Sequence, residues 1–581
     1  MMRTSHLLLG FGYLTATLGF AQSPFSPLSS TALERKTDSL FAHANASNTP
    51  GGVIAVLYKG DVLLKKGYGM ADIANKIPLT PASLFNIAST AKQFTATCIT
   101  LLEEQGKLSF EDDIRTYFPQ FQVKKTITIR HLISHTSGLR EAYVLAALSG
   151  KVNLKGQVRK QYKTTAHLLQ LMAKQQELNF EPGQEFAYTN INYILLGEIV
   201  RKVSGLSLAQ FADQSIFKPL GMTHTYFNDP QAITRAGRAT PYQLIDEKKR
   251  KFKPLSIRHD QGVVGDNNLI TSVDDLIRWD QNFAANRLGL GQQSLVKTLQ
   301  TRYILSSGDT IHYAFGLNVT PYKTTRSIGH GGDDYRYTSL MMRFPAYDLD
   351  LIYLSNQSDY QDTQQKVFAL ADVLLNVSAP ITKLVREPLQ ASLPFDSLYF
   401  KPFEGHYMGS GAKNRYSFRE VFIRNGKPYL SFQPQPNKHV FELLPLGSQH
   451  YRFKVEEPDV YVEAWFTQPK VGGQSRLSER FKTDTLHYDR RLTAPSSTSV
   501  LTQFTGLYRS QELNGQLKVK VKGHGLTIKR GLITIHAIPI GEDTFYAPEN
   551  RAIFYFKRDK AGLISEFLIS AVDFRNVRYS R

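Results

Sequence analysis

The chain has a single cysteine among its 581 residues. Cys98 has no partner for an intrachain disulfide, and it lies too far along the chain to carry a lipid on a newly cut N-terminus. The folds must therefore rest on their apolar cores. Long hydrophobic runs are also lacking. Beyond the first residues no stretch reaches about 18 consecutive apolar positions, so no membrane-spanning helix is expected. Acidic residues are in deficit, 50 against 70 Lys and Arg, giving a formal net charge of +20. The excess clusters in Lys151–Lys163 and Lys248–Lys253. Such a field suits anionic substrates or an anionic envelope surface, and two solvated loops would give the same pattern. No nucleic-acid module accompanies the charge. No His, Asp and Glu spacing suits zinc; His330 with Asp333 and Asp334 makes one tight turn. Neither a metal nor a cofactor is expected.

Hydrophobic residues at 42% and aromatics at 11% fit a folded chain, and its length calls for two or more cores. Arg3 and His6 precede an apolar stretch from Leu7 to Phe20, closed by Gly19-Phe20-Ala21. This predicts a signal peptide over 1–21, cleaved after Ala21, and export to the periplasm. Over 22–378 strand and helix patterns alternate. "GGVIAVLYKGDVLLKKGYG" reads as a hairpin turning at Gly60-Asp61. Helices are expected from Ser89 to Gln105, closed by Gly106, and at 164–176, 190–203, 207–217 and 273–284. Strands return in "SIGHGGDDYRYTSLMMRFPAYDLDLIYLSNQ". The fold class is α+β: an antiparallel sheet flanked by helices, with an all-helical subdomain. A proline-bearing linker follows at 379–394, then two small β-barrel or sandwich modules at 395–492 and 498–581. The modules open alike, "FEGHYMGS" and "FTGLYRSQ", and close alike, "LHYDRR" and "VRYSR", which suggests a repeat.

Within this frame, "FNIASTAKQFTA" puts Ser89 three residues before Lys92. The pattern alone is not specific, since it recurs at Ser215/Lys218, Ser294/Lys297 and Ser410/Lys413, and Lys218 precedes Pro219 where a helix would have to continue. A serine hydroxyl needs a base. Lys92, one helical turn on, can take the proton or favour a nearby phenolate, and backbone N–H groups at a helix start favour a developing oxyanion. Tyr188-Thr189-Asn190 supplies a phenol just before a helix; an N-cap and a rim aromatic would look the same. In "GHGGDDYRY", His330-Gly331-Gly332 lets another backbone approach a strand, so the N–H of Asp333 can join that of Ser89; a glycine turn beside a structural histidine is the plainer reading. His135 in "SHTSGL" reads as a loop residue.

Taken in order, Ser-x-x-Lys, Tyr-x-Asn and His-x-Gly resemble the site elements of the serine β-lactamase and penicillin-binding protein family, in its class C-like branch of esterases and D-stereospecific peptidases. "GYGMADIANKIPLTPASLFNIASTAKQFTA", "TIRHLISHTSGL", "EPGQEFAYTNINYILLGEIV" and "LITSVDDLIRWDQNF" are similar to family segments in the same order, over roughly 50–360. The resemblance implies the β-lactamase/transpeptidase fold and an acyl-enzyme on Ser89. Lys92 and Tyr188 would share base and acid duty. Asn190, His330, Gly332 and the Asp333 N–H would face substrate. Histidine at 330, where β-lactamases carry lysine, points to esters, D-amino-acid peptides or amides, or peptidoglycan fragments over β-lactams. Three residues depart from the pattern: Asn267-Asn268 replace a glycine pair, Arg336 replaces a glycine, and Asp333 brings a carboxylate to the oxyanion site. Two other readings follow, a catalytically weak wall-binding or sensor protein and a class C-like β-lactamase.

Overall fold

The computed structural model describes residues 29–42, 48–149, 164–229, 236–246, 250–256, 262–334, 336–357, 360–375, 394–410, 417–432, 440–454, 461–467, 475–481, 484–491, 497–530, 533–571 and 573–581. The expected signal peptide, the basic run 151–163, positions 248–249 of the second run and all of the expected linker but residue 394 lie outside the described residues.

The strand Gly52–Tyr58 organises the first unit. Successive side chains leave opposite faces of a strand, and both faces are apolar: Val53, Ala55 and Leu57 join one core, Ile54 and Val56 the other. It lies inside a six-stranded antiparallel sheet in the order Asn318–Tyr322, Thr325–Asp333, Thr338–Phe344, Leu349–Ser355, Gly52–Tyr58, Asp61–Tyr68. The hairpin after Tyr58 turns at Lys59-Gly60, one residue earlier than expected. Both residues have positive φ, 52° and 82°, as a two-residue hairpin turn requires.

Helices Ser30–Phe41 and Tyr360–Leu374 cover one face of the sheet. On the other lies the helix Lys92–Glu104, buried from Lys92 to Leu102. Phe94 packs on Trp279 at 4.4 Å between ring centroids, and the thiol of Cys98 is fully enclosed. The helix Asn190–Ser204 packs beside it and ends on Gly205 in the left-handed region. Helices Thr165–Ala173 and Val273–Ala284 stand where the periodicity predicts them. The helix expected at 207–217 runs further. Leu208–Ala212 passes into a π-helical turn, Asp213–Phe217, and on through Lys218–Leu220. The wider turn shifts the hydrogen-bond ladder by one residue, so the missing N–H of Pro219 does not end the helix. Lys218 pairs with Asp213 at the surface, at 2.7 Å. Among the described residues no helix is long and apolar enough to cross a membrane.

The rest of the described chain is almost wholly β. Nine antiparallel strands from Gly405–Gly409 to Asp484–Arg491 form one sheet. Its two edge strands, Val440–Glu442 and Leu444–Pro445, are separated only by Leu443, so the sheet must curl until its edges meet. Eight strands from Gly506–Ser510 to Phe574–Ser580 form a closed barrel. The two modules share a small device. Tyr407 Oη donates to the Phe403 carbonyl at 2.7 Å, and Tyr508 Oη to that of Phe504 at 2.9 Å. Between them Gly405 and Gly506 have φ of 139° and 154°, each under an arginine, Arg490 in the first module's last strand and Arg581 just beyond the second's.

The closed barrel sits with one mouth on the short helix Ala142–Leu148. Val144, Ala147 and Leu148 wall a cavity of about 140 Å³ with Leu517, Ile528 and Phe554 from inside the barrel. Arg140, 1% exposed, donates to Glu512 and Gln175, each at 2.8 Å. Arg575 pairs with Glu185 at 2.8 Å, and Arg530 donates to the carbonyls of Leu148 and Ser149.

Candidate active site

Ser89 does not lie on the α-helix expected from it. Ala88–Ala91 is a 3-10 turn, and the α-helix starts at Lys92. In 3-10 geometry the side chains of residues i and i+3 eclipse, which brings Lys92 Nζ to 3.1 Å from Ser89 Oγ. Ala88 enters the turn at φ +46°, a left-handed conformation that alanine seldom adopts. The turn is held on several sides. Asn86 Oδ1 accepts from the Ala88 N–H at 2.8 Å, and Ile87 N donates to the Leu269 carbonyl at 3.0 Å. Ser339 Oγ donates to the Ile87 carbonyl at 2.7 Å and lies 2.8 Å from Thr90 Oγ1.

Lys92 is wholly buried. Its Nζ faces three acceptors, Ser89 Oγ at 3.1 Å, Asn190 Oδ1 at 2.9 Å and the Asp266 carbonyl at 2.8 Å, which is as many as a lysine can donate to. Tyr188, 37% exposed, stands over it with the ammonium 4.9 Å from the ring centroid. Ser89, Lys92, Tyr188 and Asn190 are therefore brought together, and Ser89 and Tyr188 open to solvent. The N-cap of the Asn190–Ser204 helix is Thr189, not Asn190, so the Asn190 amide is left to hold Lys92.

The strand Thr325–Asp333 runs directly against the turn that carries Ser89. A Cβ on Gly332 would lie 2.3 Å from the Ile87 carbonyl oxygen and 2.9 Å from the Ser89 nitrogen, so only glycine allows this approach. Asp333 follows, exposed and paired in register with Thr338. Asp334 accepts the backbone N–H groups of Arg336 and Tyr337 at 3.0 and 2.9 Å, which closes the turn where Arg336 replaces a glycine. Asn268, at the second position of the other replaced pair, has φ +64°. Asparagine tolerates this region better than other side chains, and its amide donates to the Val263 carbonyl at 2.7 Å.

His330 differs from the expectation of a partly charged, substrate-facing ring. It is 6% exposed. Nδ1 lies 2.6 Å from the Gly331 carbonyl oxygen and must donate to it; Nε2 lies 3.1 Å from Tyr313 Oη and so accepts. Burial, aided by the Lys92 charge, pushes its pKa down to about 3, so the ring is neutral and both nitrogens are engaged by the protein. His135 is a structural loop residue: fully buried at φ +57°, it accepts from the Thr189 N–H at 3.3 Å and packs under the Tyr188 ring at 4.3 Å.

Two buried carboxyls went unread in the sequence. Glu141 accepts from the Asn190 N–H at 2.6 Å, Thr189 Oγ1 at 2.9 Å and the Tyr143 N–H at 3.1 Å. Burial raises its pKa against those three donors. Asp266 accepts from Tyr143 Oη at 3.2 Å, and its Oδ1 has no partner. Burial pushes it up to about 6 in spite of Lys92. The available sequence signal was an acid next to each family segment, after "SHTSGLR" and before "NNLITS". Among the described residues no three His, Cys, Asp or Glu side chains gather where they could hold a metal ion. What this arrangement can do is activate an alcohol beside an amine and a phenol in a half-open cleft.

Comparison with known proteins agrees with this geometry. The beta-lactamase family model matches residues 37–375. A penicillin-binding protein of Bacillus subtilis (strain 168) is 30% identical over 443 residues, covering 73% of this chain and 92% of that protein. A D-aminopeptidase of Brucella anthropi is 30% identical over 284 residues, covering 49% of this chain and 51% of the relative, so the chain spans about half the length of that protein. Among solved structures, an octameric penicillin-binding protein homologue from Pyrococcus abyssi superposes with a TM-score of 0.54 at 24% identity, over 79% of this chain and 100% of that one.

Proposed function

The chain belongs to the beta-lactamase family, and from that premise we propose that it is an exported serine hydrolase working through an acyl-enzyme on esters or on D-amino-acid amides and peptides. The observation that carries the reading is the 3.1 Å contact between Lys92 Nζ and Ser89 Oγ, inside a cleft roofed by the Tyr188 phenol. Ser89 Oγ attacks the substrate carbonyl as its proton passes to the Lys92–Tyr188 pair. The oxyanion forms against the N–H of Ser89, with the Asp333 N–H on the strand that Gly332 brings alongside. The same pair returns the proton to the leaving group, and water repeats the sequence to free the enzyme.

Substrate choice follows from charge. A neutral His330 with both nitrogens engaged offers no cation to a substrate carboxylate such as that of a β-lactam. This supports esters and amides, and the D-aminopeptidase likeness supports a D-amino-acid acyl group. The closed barrel docks beside the Tyr-x-Asn segment through Arg575 and Glu185, which supports a role for it in limiting substrate size. A fluorescent acylating probe tests the reading: wild type is labelled and Ser89→Ala is not. Equal labelling of the two would falsify the catalytic assignment. Turnover of a p-nitrophenyl ester should exceed that of nitrocefin, and the reverse order would remove the substrate argument.

A further inference from the structure

We infer that Glu141 is a positioning residue for acylation and that the C-terminal barrel holds it in register with the catalytic groups; this rests on the hydrolase reading above. Glu141 touches none of the reacting atoms. It acts through the acceptors of Lys92. Its Oε2 takes the Asn190 N–H at 2.6 Å, and Asn190 Oδ1 takes Lys92 Nζ at 2.9 Å. Its Oε1 takes the Tyr143 N–H at 3.1 Å; Tyr143 Oη reaches the Asp266 carboxylate at 3.2 Å, and the Asp266 carbonyl takes Lys92 Nζ at 2.8 Å. Two of the three acceptors around the lysine are thus placed by one buried carboxylate.

The local structure depends on that carboxylate. Thr189 is the N-cap of the Asn190–Ser204 helix, yet its side chain does not cap that helix. Its hydroxyl goes to Glu141 Oε2 at 2.9 Å instead, and Glu141 supplies the oxygen at the helix start. Without Glu141 the Thr189 hydroxyl and the Asn190 N–H would both lose their acceptor beneath the cleft, so the start of this helix would shift to find others.

The barrel grips the other side of the same residue. The Glu141 N–H donates to the Asp573 carbonyl at 3.1 Å, in the turn between the last two barrel strands. Asn179 Nδ2 donates to that carbonyl at 3.4 Å, and the Arg575 N–H donates back to Asn179 Oδ1 at 2.8 Å. At the far end of the short helix, Arg530 holds the Leu148 and Ser149 carbonyls, and Tyr579 Oη donates to that of Leu148 at 3.3 Å. The segment bearing Glu141 and Tyr143 is therefore fixed at both ends by the barrel and fixes Lys92 in turn.

The test uses the full chain, with kcat and KM for a small p-nitrophenyl ester and far-UV circular dichroism as the check on folding. Glu141→Ala should lower kcat about 100-fold, the usual cost of an ångström of misplacement, and leave KM within about threefold. Glu141→Gln keeps an oxygen of the same reach and should lose only about three- to tenfold in kcat. Arg530→Ala, at the end of the Ala142–Leu148 helix remote from Glu141, should lower kcat several-fold at constant KM. A folded Glu141→Ala with kcat within about threefold of wild type overturns the positioning role. Should Glu141→Ala not fold, a Glu141→Gln chain with unchanged kcat overturns it instead. Unchanged kcat in Arg530→Ala overturns the barrel's part. A wild type that neither hydrolyses ester nor labels at Ser89 sinks the hydrolase reading and this inference with it, whereas an active wild type beside an active Glu141→Ala sinks this inference alone.

Discussion

Asp266 is 1% exposed beside Lys92, with one carboxylate oxygen unpartnered and a pKa pushed up to about 6 mainly by burial. The folded chain keeps its proton from the ordinary value of 3.8 up to about 6, while the unfolded chain has released it. The stability this group contributes is therefore present below pH 3.8 and is lost as pH rises through about 6. Asp266→Asn keeps an acceptor for the Tyr143 hydroxyl and removes the charge. It should raise stability at pH 8 by roughly 1–3 kcal/mol, with the gap closing near pH 4. Thermal unfolding at the two pH values checks this, and a gap independent of pH would contradict it. His330 tilts the other way: held neutral down to about 3, it makes the fold lose stability as pH falls below 6.5. Ser89, Lys92, Tyr188 and Asn190 were legible because each pair sits within three residues along the chain. Glu141 and Asp266 were not. Glu141 meets Asn190 across 49 positions, and only the fold shows that a charge is buried.

Gly332 illustrates the scale of elements. A methyl group there would meet the Ile87 carbonyl oxygen at 2.3 Å and the Ser89 nitrogen at 2.9 Å, backbone atoms that cannot rotate aside. Gly332→Ala should push the strand away from the nucleophile turn, slowing Ser89 labelling about 100-fold and costing about 1–3 kcal/mol of stability. Labelling kinetics and thermal scanning check both effects, and wild-type values in both would refute the close approach. At this scale the hairpin, five helices of the first unit and the glycine-bearing strand were visible as periodicity, while the helices Ser30–Phe41, Ala142–Leu148 and Tyr360–Leu374 went unread. Two further features left no pattern. The 3-10 turn at Ala88–Ala91 precedes the expected α-helix because backbone and side-chain bonds from Asn86, Leu269 and Ser339 pin it. The passage through Pro219 needs a π-helical turn, which leaves no pattern in residue spacing. Asn268 shows the reverse case, where an asparagine standing in for an expected glycine takes up a left-handed backbone that it tolerates.

Across the whole molecule, Arg140 is the deepest link between the first unit and the barrel, paired with Glu512 at 2.8 Å. Glu512→Ala would leave a buried guanidinium without its close counter-ion and should destabilise docking by about 3 kcal/mol, whereas Arg140→Met with Glu512→Leu should recover most of the loss. Thermal unfolding of the three chains checks this; an unaffected Glu512→Ala would show that Gln175 and the Glu177 carboxylate, 3.8 Å from the guanidinium, suffice. The opening and closing segments that read alike in the sequence fall in two all-β modules, and each module carries the same tyrosine, glycine and arginine device at its opening. That the barrel sits on Ala142–Leu148 came from contacts across more than 370 positions, such as Arg140 with Glu512, with no periodic trace. The enclosed thiol of Cys98 adds a practical consequence. Because burial holds it far from its reactive form and the chain has no second sulfhydryl, a cysteine engineered at any solvent-facing site would be the sole point of maleimide attachment. Two such cysteines, one on the barrel and one at the cleft, would carry a dye pair that reports their separation in real time, without first stripping the native residue.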